Sequence, residues 1–213
     1  MRSYLLLLRF AVVNVAALAI LAVAWLQGWV GLALESDVTH LTLVIAGVFV
    51  AGLAVCTVKV WRASHELNAV HDGGDDARAR VRWYRDLTAR ANGEARPTLA
   101  GCLRSRLYAR IAVVRQMANS LVLLGLIGTV VGFIIALSGL DPAAATDVGA
   151  VAPMVTTLIE GMAVALYTTL VGAVLHVWLM MNYQVLASGT VNLVNAIIET
   201  VEAPADSLAA EVA

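Results

Sequence analysis

The chain has 213 residues, of which 61% are hydrophobic and 14% are charged, and its formal net charge is −1. With a mean hydropathy of +0.84, this composition excludes an ordinary soluble domain. It predicts an all-α fold: a polytopic membrane protein with four transmembrane helices and a short helical cytoplasmic region.

Residues 1–61 predict an N-terminal transmembrane hairpin. The apolar runs 10–30 and 41–60 are each long enough to cross about 30 Å of hydrocarbon at about 1.5 Å per residue. Asn14 is the one strongly polar side chain inside the first run. A hydrogen bond to a neighbouring helix explains it without a functional role.

Residues 62–116 are predicted to form a cytoplasmic helical region, because the basic residues collect there. Of the 14 lysines and arginines, two are Arg2 and Arg9, and all the others lie between Lys59 and Arg115. The positive-inside rule then places both chain ends in the cytoplasm. The acidic turn at 71–76 is predicted to be solvated, since its spacing fits neither a zinc site nor an EF-hand.

Residues 117–183 predict a second transmembrane hairpin, whose two apolar runs carry unusual hydroxyl groups. Thr129 lies well inside the first run, and Thr168 and Thr169 lie well inside the second, all near mid-membrane when counted from the connection between the runs. A surface that faces lipid has no use for hydroxyls, although threonine can bond the carbonyl four residues back. Residues 184–213 are predicted to be a cytoplasmic C-terminal helix and tail.

Small residues recur at helical spacing on both sides of the threonines. Such residues let two helices approach closely, and they predict close packing of the hairpin. The predicted contact residues are Gly125, Gly128, Gly132, Gly161, Ala165 and Gly172.

No enzymatic motif stands out. The sequence has no phosphate-binding GxxxxGK[ST], no GxSxG, no HExxH and no GxGxxG, and neither Cys56 nor Cys102 belongs to a CxxC pair. The chain is therefore predicted not to be an enzyme and to need no cofactor and no metal.

GLIGTVVGF (125–133) and GMAVALYTTLVG (161–172) together resemble the MotA/TolQ/ExbB family, the channel-forming subunits of bacterial ion-driven motors. The resemblance covers residues 115–200. It implies a homopentamer in the bacterial inner membrane around a dimer of a single-span partner of the MotB/ExbD/TolR kind, whose membrane helix carries an essential Asp. The third and fourth spans here have no acid at their centres, so the chemistry also favours an acidic partner.

The resemblance implies an ion pathway along Thr129 and Thr169, with Thr168 beside them. Hydroxyl oxygens replace the water ligands of a cation, which apolar walls cannot do. Glu160 is predicted either to be a structural acid near the outer interface or to admit the ion. His176 lies on the same stripe as Thr169 and is predicted either to be a hydrogen-bonded buried residue or to release a proton.

The predicted function is an inner-membrane channel subunit that converts the motive force of a cation, H⁺ or Na⁺, into mechanical work through its partner. Two alternatives remain: a flagellar stator subunit proper, and a non-conducting scaffold that anchors a partner through its small-residue surfaces. The sequence identifies neither the ion nor the process that it drives.

Overall fold

In the computed structural model the described residues are 3–31, 39–72, 82, 96–140 and 148–202. Within them the chain forms four long helices: α1 (Ser3–Leu26), α2 (Leu41–Asp72), α3 (Arg96–Ser138) and α4 (Val148–Glu202). By length and composition, each of the four is able to cross a membrane. The predicted all-helical architecture with four apolar spans is confirmed.

The ends of the helices differ from the predicted ends of the spans. The first span was expected over 10–30, but α1 ends at Leu26, and Gly28 has a φ of 79°. A glycine accepts this left-handed backbone without strain and so ends the helix early. In contrast, α2 runs beyond the second predicted span to Asp72.

The third span continues a helix that begins before the membrane. The second hairpin was predicted to begin at residue 117, after a helical region, and α3 is continuous from Arg96 to Ser138. Of the acidic turn at 71–76, only residues 71 and 72, at the end of α2, lie within the described backbone. The rest of that turn, the tail after 202, and residues 77–95 of the predicted cytoplasmic region, apart from Arg82, lie outside the described residues.

The chain divides into two compact units, and the predicted channel residues belong to the one formed by Val13–Val55 and Val114–Met181. Ile45, Leu121 and Leu179 are completely buried in this unit. A methyl group added to Gly52 would lie 2.7 Å from a Leu179 methyl and 3.6 Å from the Met117 Cβ. Parts of α2, α3 and α4 therefore pack together there.

A polar bond ties α1 to α4 within the same unit. The Trp178 indole Nε1 donates to the Asn14 Oδ1 at 3.1 Å, and the Phe49 ring lies 4.9 Å from the Trp178 ring. The interhelical hydrogen bond expected for Asn14 is thus present, with Trp178 as its donor. In a membrane such bonds stabilise by about 0.6 kcal/mol on average.

Asn14→Leu is expected to lower the free energy of unfolding by about 0.6 kcal/mol, with an upper range of about 1.7 kcal/mol. The reason is that the Trp178 Nε1 loses its acceptor. Unfolding in lipid bicelles measures the change. In a Trp178→Phe background the same substitution should have little effect, and an equal loss in both backgrounds would contradict this role for the bond.

The contacts of Leu41 set the register between α2 and the hairpin of α3 and α4. Leu41 is the first residue of α2, and its Cδ2 lies 3.1 Å from where a Gly128 methyl would be. The Thr168 Cβ lies 2.5 Å from the same methyl position on Gly128. The threonine pair is therefore level with the beginning of α2, and α3 continues beyond that level to Ser138.

The other unit comprises Met1–Val12, Cys56–Val113 and Asn182–Ala213. Its described core contains Leu107 of α3 with Leu193, Val194 and Ile197 of α4. The Lys59 Nζ donates to the Arg110 carbonyl at 2.8 Å, which joins α2 to α3. We call the end of the helices where Lys59 and Arg110 lie the basic end, and these contacts are made there.

Candidate functional site

The α3–α4 hairpin has a contact made almost entirely by small residues. A methyl group added at Gly132 would lie 2.5 Å from the Ala165 nitrogen and 2.6 Å from the Gly161 oxygen. One added at Gly172 would lie 2.8 Å from the Leu121 oxygen. These neighbours are backbone atoms, which cannot rotate away, so the two helices approach as closely as glycine allows.

Thr169 bridges the two helices at this contact. Its Oγ1 lies 3.2 Å from the Gly125 carbonyl on α3 and 3.1 Å from the Ala165 carbonyl on its own helix. The hydroxyl has a single hydrogen, which it donates to one carbonyl at a time, and its lone pairs remain available. The side chain is only half-buried. Thr169 therefore presents a fixed oxygen at the edge of the contact.

Thr129 lies in a shallow apolar groove on an exposed face of the same hairpin. Its Oγ1 donates to the Leu126 carbonyl at 2.6 Å, so its oxygen also keeps its lone pairs. We call this surface the Thr129 groove, and its lining residues are Thr129, Val130, Phe133, Ile134, Met162, Ala165 and Leu166. Ala165 links it to Thr169, because the Ala165 carbonyl accepts from that hydroxyl.

Thr168 has a different environment from its neighbour. It is 0% exposed, and its hydroxyl lies 2.9 Å from the Val164 carbonyl and 3.2 Å from the Ala165 carbonyl of its own helix. Its side chain fills the space above Gly128. Of the predicted pathway residues, the structure thus leaves Thr129 and Thr169 accessible at the surface of the hairpin and encloses Thr168 between helices.

Comparison with known protein families identifies this hairpin. Residues 94–199, which include all of α3 and most of α4, match the family described as the MotA/TolQ/ExbB proton channel family. Residues 94–199 belong to that family. No curated protein and no solved structure gives a significant match to the chain.

The MotA/TolQ/ExbB match confirms the family that the two sequence motifs indicated. Residues 94–199 match a family of proton channels, and the four apolar helices support a multi-pass membrane protein. The family consists of subunits of energy-transducing complexes, is non-enzymatic, and works with partners of the MotB/ExbD/TolR type.

The two titratable residues predicted on the MotA/TolQ/ExbB hairpin occupy separate positions. Glu160 is exposed, at the end of the hairpin that lies near the 139–148 connection. His176 is half-buried toward the basic end, and its Nδ1 lies 2.7 Å from the Ala118 carbonyl on α3. The structure therefore brings His176, but not Glu160, into the helix contact that holds Thr169.

The apolar wall of the Thr129 groove was not predicted. Phe133 and Ile134 are 59% and 61% exposed, and Leu166 is 68% exposed. A signal was available, because Thr129, Val130, Phe133 and Ile134 recur at the spacing of one helix face. Polar and small residues were predicted to form the site, and the large apolar residues around them were not.

The described residues offer no other chemistry at this site. Among them no group of three or more histidines, cysteines or acids lies close enough to hold a metal ion. The Thr129 hydroxyl is the one polar side-chain group among the lining residues of the groove, and the other lining side chains are apolar. Such a surface suits an apolar helix with an occasional polar group rather than a small polar substrate.

Proposed function

We propose that this chain is the channel-forming subunit of a cation-driven motor in the bacterial inner membrane, with both ends in the cytoplasm. Five copies surround two copies of a single-span partner, whose membrane helix carries an Asp. Cation movement past that Asp drives one oligomer against the other, and the force serves an envelope process rather than flagellar rotation.

One observation carries the proposal. Within a hairpin that belongs to the proton channel family, two threonine oxygens, those of Thr129 and Thr169, lie around Ala165 and are not enclosed by the chain itself. Both hydroxyls donate to backbone carbonyls, which fixes their direction and leaves lone pairs for a cation or hydrated proton.

The apolar residues of the Thr129 groove favour a partner helix as the other wall of the ion pathway. Exposed Phe133 and Leu166 flank Thr129 and provide apolar area for a transmembrane helix. A carboxylate on that helix would find the threonine oxygens but no basic side chain lining the groove. It would therefore bind a mobile cation rather than form a permanent ion pair.

Disulfide cross-linking tests where the partner docks. Exposed Cys102 is first replaced by serine, while buried Cys56 is kept. Phe133→Cys is then expected to cross-link to a cysteine placed beside the partner's membrane Asp. Ile20→Cys serves as the control, since it is 70% exposed on the peripheral α1.

Native mass spectrometry of the purified complex should give a subunit ratio of five to two. A different ratio would refute the proposed assembly. Equal cross-linking from Ile20→Cys and Phe133→Cys would show that the Thr129 groove is not the docking surface.

The enclosed position of Thr168 favours a scaffold as the second candidate function. Its hydroxyl bonds only to its own helix, and it fills the space over Gly128 as a packing residue does. If all three threonines act in this way, the hairpin anchors a partner without conducting. Cation flux through the unaltered complex in proteoliposomes separates the two functions, because a scaffold conducts no cation.

A further inference from the structure

His176 has a defined tautomer because of its contact with α3. Its Nδ1 lies 2.7 Å from the Ala118 carbonyl oxygen. A carbonyl only accepts hydrogen bonds, so the hydrogen of the neutral ring is on Nδ1. The lone pair is therefore on Nε2, which makes no hydrogen bond within the described part of the chain. His176 thus offers a basic nitrogen from a fixed ring.

The His176 ring and the Thr169 side chain lie along the same edge of the α3–α4 contact. Thr169 contacts the Gly125 carbonyl, and His176 contacts the Ala118 carbonyl, so the two contacts are seven residues apart on both helices. Seven residues are about two helical turns, or about 10 Å. Between them Gly172 lies against the Leu121 carbonyl. The same edge of the α3–α4 contact therefore carries first a hydroxyl and then an imidazole toward the basic end.

Few other titratable or charged groups surround this imidazole. On α3, Arg115 lies about one turn beyond Ala118 toward the basic end. On α4 the nearest titratable residues along the helix are Tyr167 and Tyr183. Residues 13–26 of α1 and 41–55 of α2 contain none. In this stretch, histidine is the residue type that proteins use as a proton shuttle.

We propose that His176 is a proton-accepting residue of the ion pathway and that it makes the transported cation a proton. This inference rests on the proposed function. Nε2 takes a proton from a hydronium ion that has passed Thr169, and a water molecule remains. The imidazolium keeps its Nδ1 hydrogen on the Ala118 carbonyl. It then gives the Nε2 proton to water at the basic end, which restores the neutral tautomer.

Sodium has no equivalent step at this residue. Hard cations are bound by oxygen ligands, and Nε2 offers a nitrogen lone pair. The threonine oxygens by themselves accept either cation, so the selection is made at His176.

The first test measures the ring directly, in the full-length chain in phosphatidylethanolamine–phosphatidylglycerol nanodiscs. The chain has four histidines, and the ¹⁵N signal that is missing in His176→Asn belongs to His176. We expect the neutral ring to carry its hydrogen on Nδ1 and the protonated ring to carry its second hydrogen on Nε2. A neutral ring that carries its hydrogen on Nε2, or a ring that never accepts a second proton, would overturn the proposal.

The second test measures cation flux through the complex of the chain with its single-span partner in proteoliposomes of the same lipids. Asparagine keeps a donor near the position of Nδ1 but cannot accept a proton, whereas His176→Leu removes both properties. His176→Asn is expected to cut proton flux at least tenfold while the subunit ratio stays unchanged.

The flux outcomes separate this proposal from the proposed function. Wild-type proton flux through His176→Asn would assign the residue a structural role only. Flux driven by a sodium gradient but not by a proton gradient would overturn the proton selection and leave the motor function standing. If the wild-type complex moves neither cation, the proposed function fails, and this inference fails with it.

Discussion

Replacing Thr169 with valine is expected to reduce cation flux at least tenfold, whereas the same replacement at Thr168 should leave it nearly unchanged. Valine has almost the shape of threonine but lacks the oxygen. At Thr169 the lost oxygen is half-exposed and directed by the Gly125 carbonyl, so a cation loses a ligand. At Thr168 the lost oxygen is completely enclosed and bonded only to carbonyls of its own helix.

The adjacent pair provides its own control, because both variants remove one hydroxyl from the same turn of α4. Flux is measured in proteoliposomes that contain the chain and its partner and enclose a pH-sensitive dye. Loss of flux in both variants would show that enclosure of Thr168 does not keep it from the pathway. Normal flux in both variants would show that neither hydroxyl is a ligand in the pathway, whereas absence of flux through the unaltered complex would favour the non-conducting scaffold.

Gly132→Ala is expected to destabilise the hairpin by about 1–3 kcal/mol, the usual cost of forcing an extra carbon into a close contact. The added methyl group would meet the Ala165 nitrogen at 2.5 Å and the Gly161 oxygen at 2.6 Å. Both are backbone atoms, so α3 and α4 must move apart. Separation of the helices would also break the bridge from Thr169 to Gly125 and reduce flux.

Gly47→Ala is the matched control in the same unit. A methyl group added there would have no neighbour within 4 Å. Gly47 lies inside α2, where alanine should stabilise the helix by up to about 1 kcal/mol. Unfolding of the two variants in bicelles makes the comparison, and equal stability of both would contradict the close contact between α3 and α4.

The position of the two threonines suggests how the hairpin and the partner divide the work. The chain supplies fixed hydroxyl oxygens and an apolar wall, and the described part of its Thr129 groove contains no acid. In the proposed motor, the charge that binds the cation therefore comes from the partner. A neutral wall facing an acidic partner helix would let the cation leave as well as bind, because each threonine contributes only a weak ligand.

The sequence by itself determined the membrane class, the four spans and the family. These follow from long apolar runs, from a basic segment between two hairpins, and from two motifs that need no tertiary contact to be recognised. It also pointed to the interhelical bond of Asn14, since a polar amide in an apolar run must find a partner.

Only the tertiary structure distinguished Thr168 from Thr169. Adjacent residues on a helix point about 100° apart, and the sequence does not say which direction a neighbouring helix occupies. The Gly128 and Leu41 contacts enclose Thr168, while Thr169 stays at the edge of the α3–α4 contact. The same limit applies to His176, whose tautomer depends on the Ala118 carbonyl of another helix.

Tertiary contacts likewise decided where the threonines lie along the axis of α2 in the first hairpin. Within their own apolar runs these residues lie near the middle, but Leu41 shows that α2 begins at the level of Thr168 and Gly128. Hydropathy describes each helix separately. The relative position of two hairpins along their axes depends on which of their side chains pack together. The hairpin of α3 and α4 therefore extends beyond α2 with its apolar surface exposed, and the Thr129 groove lies on that surface.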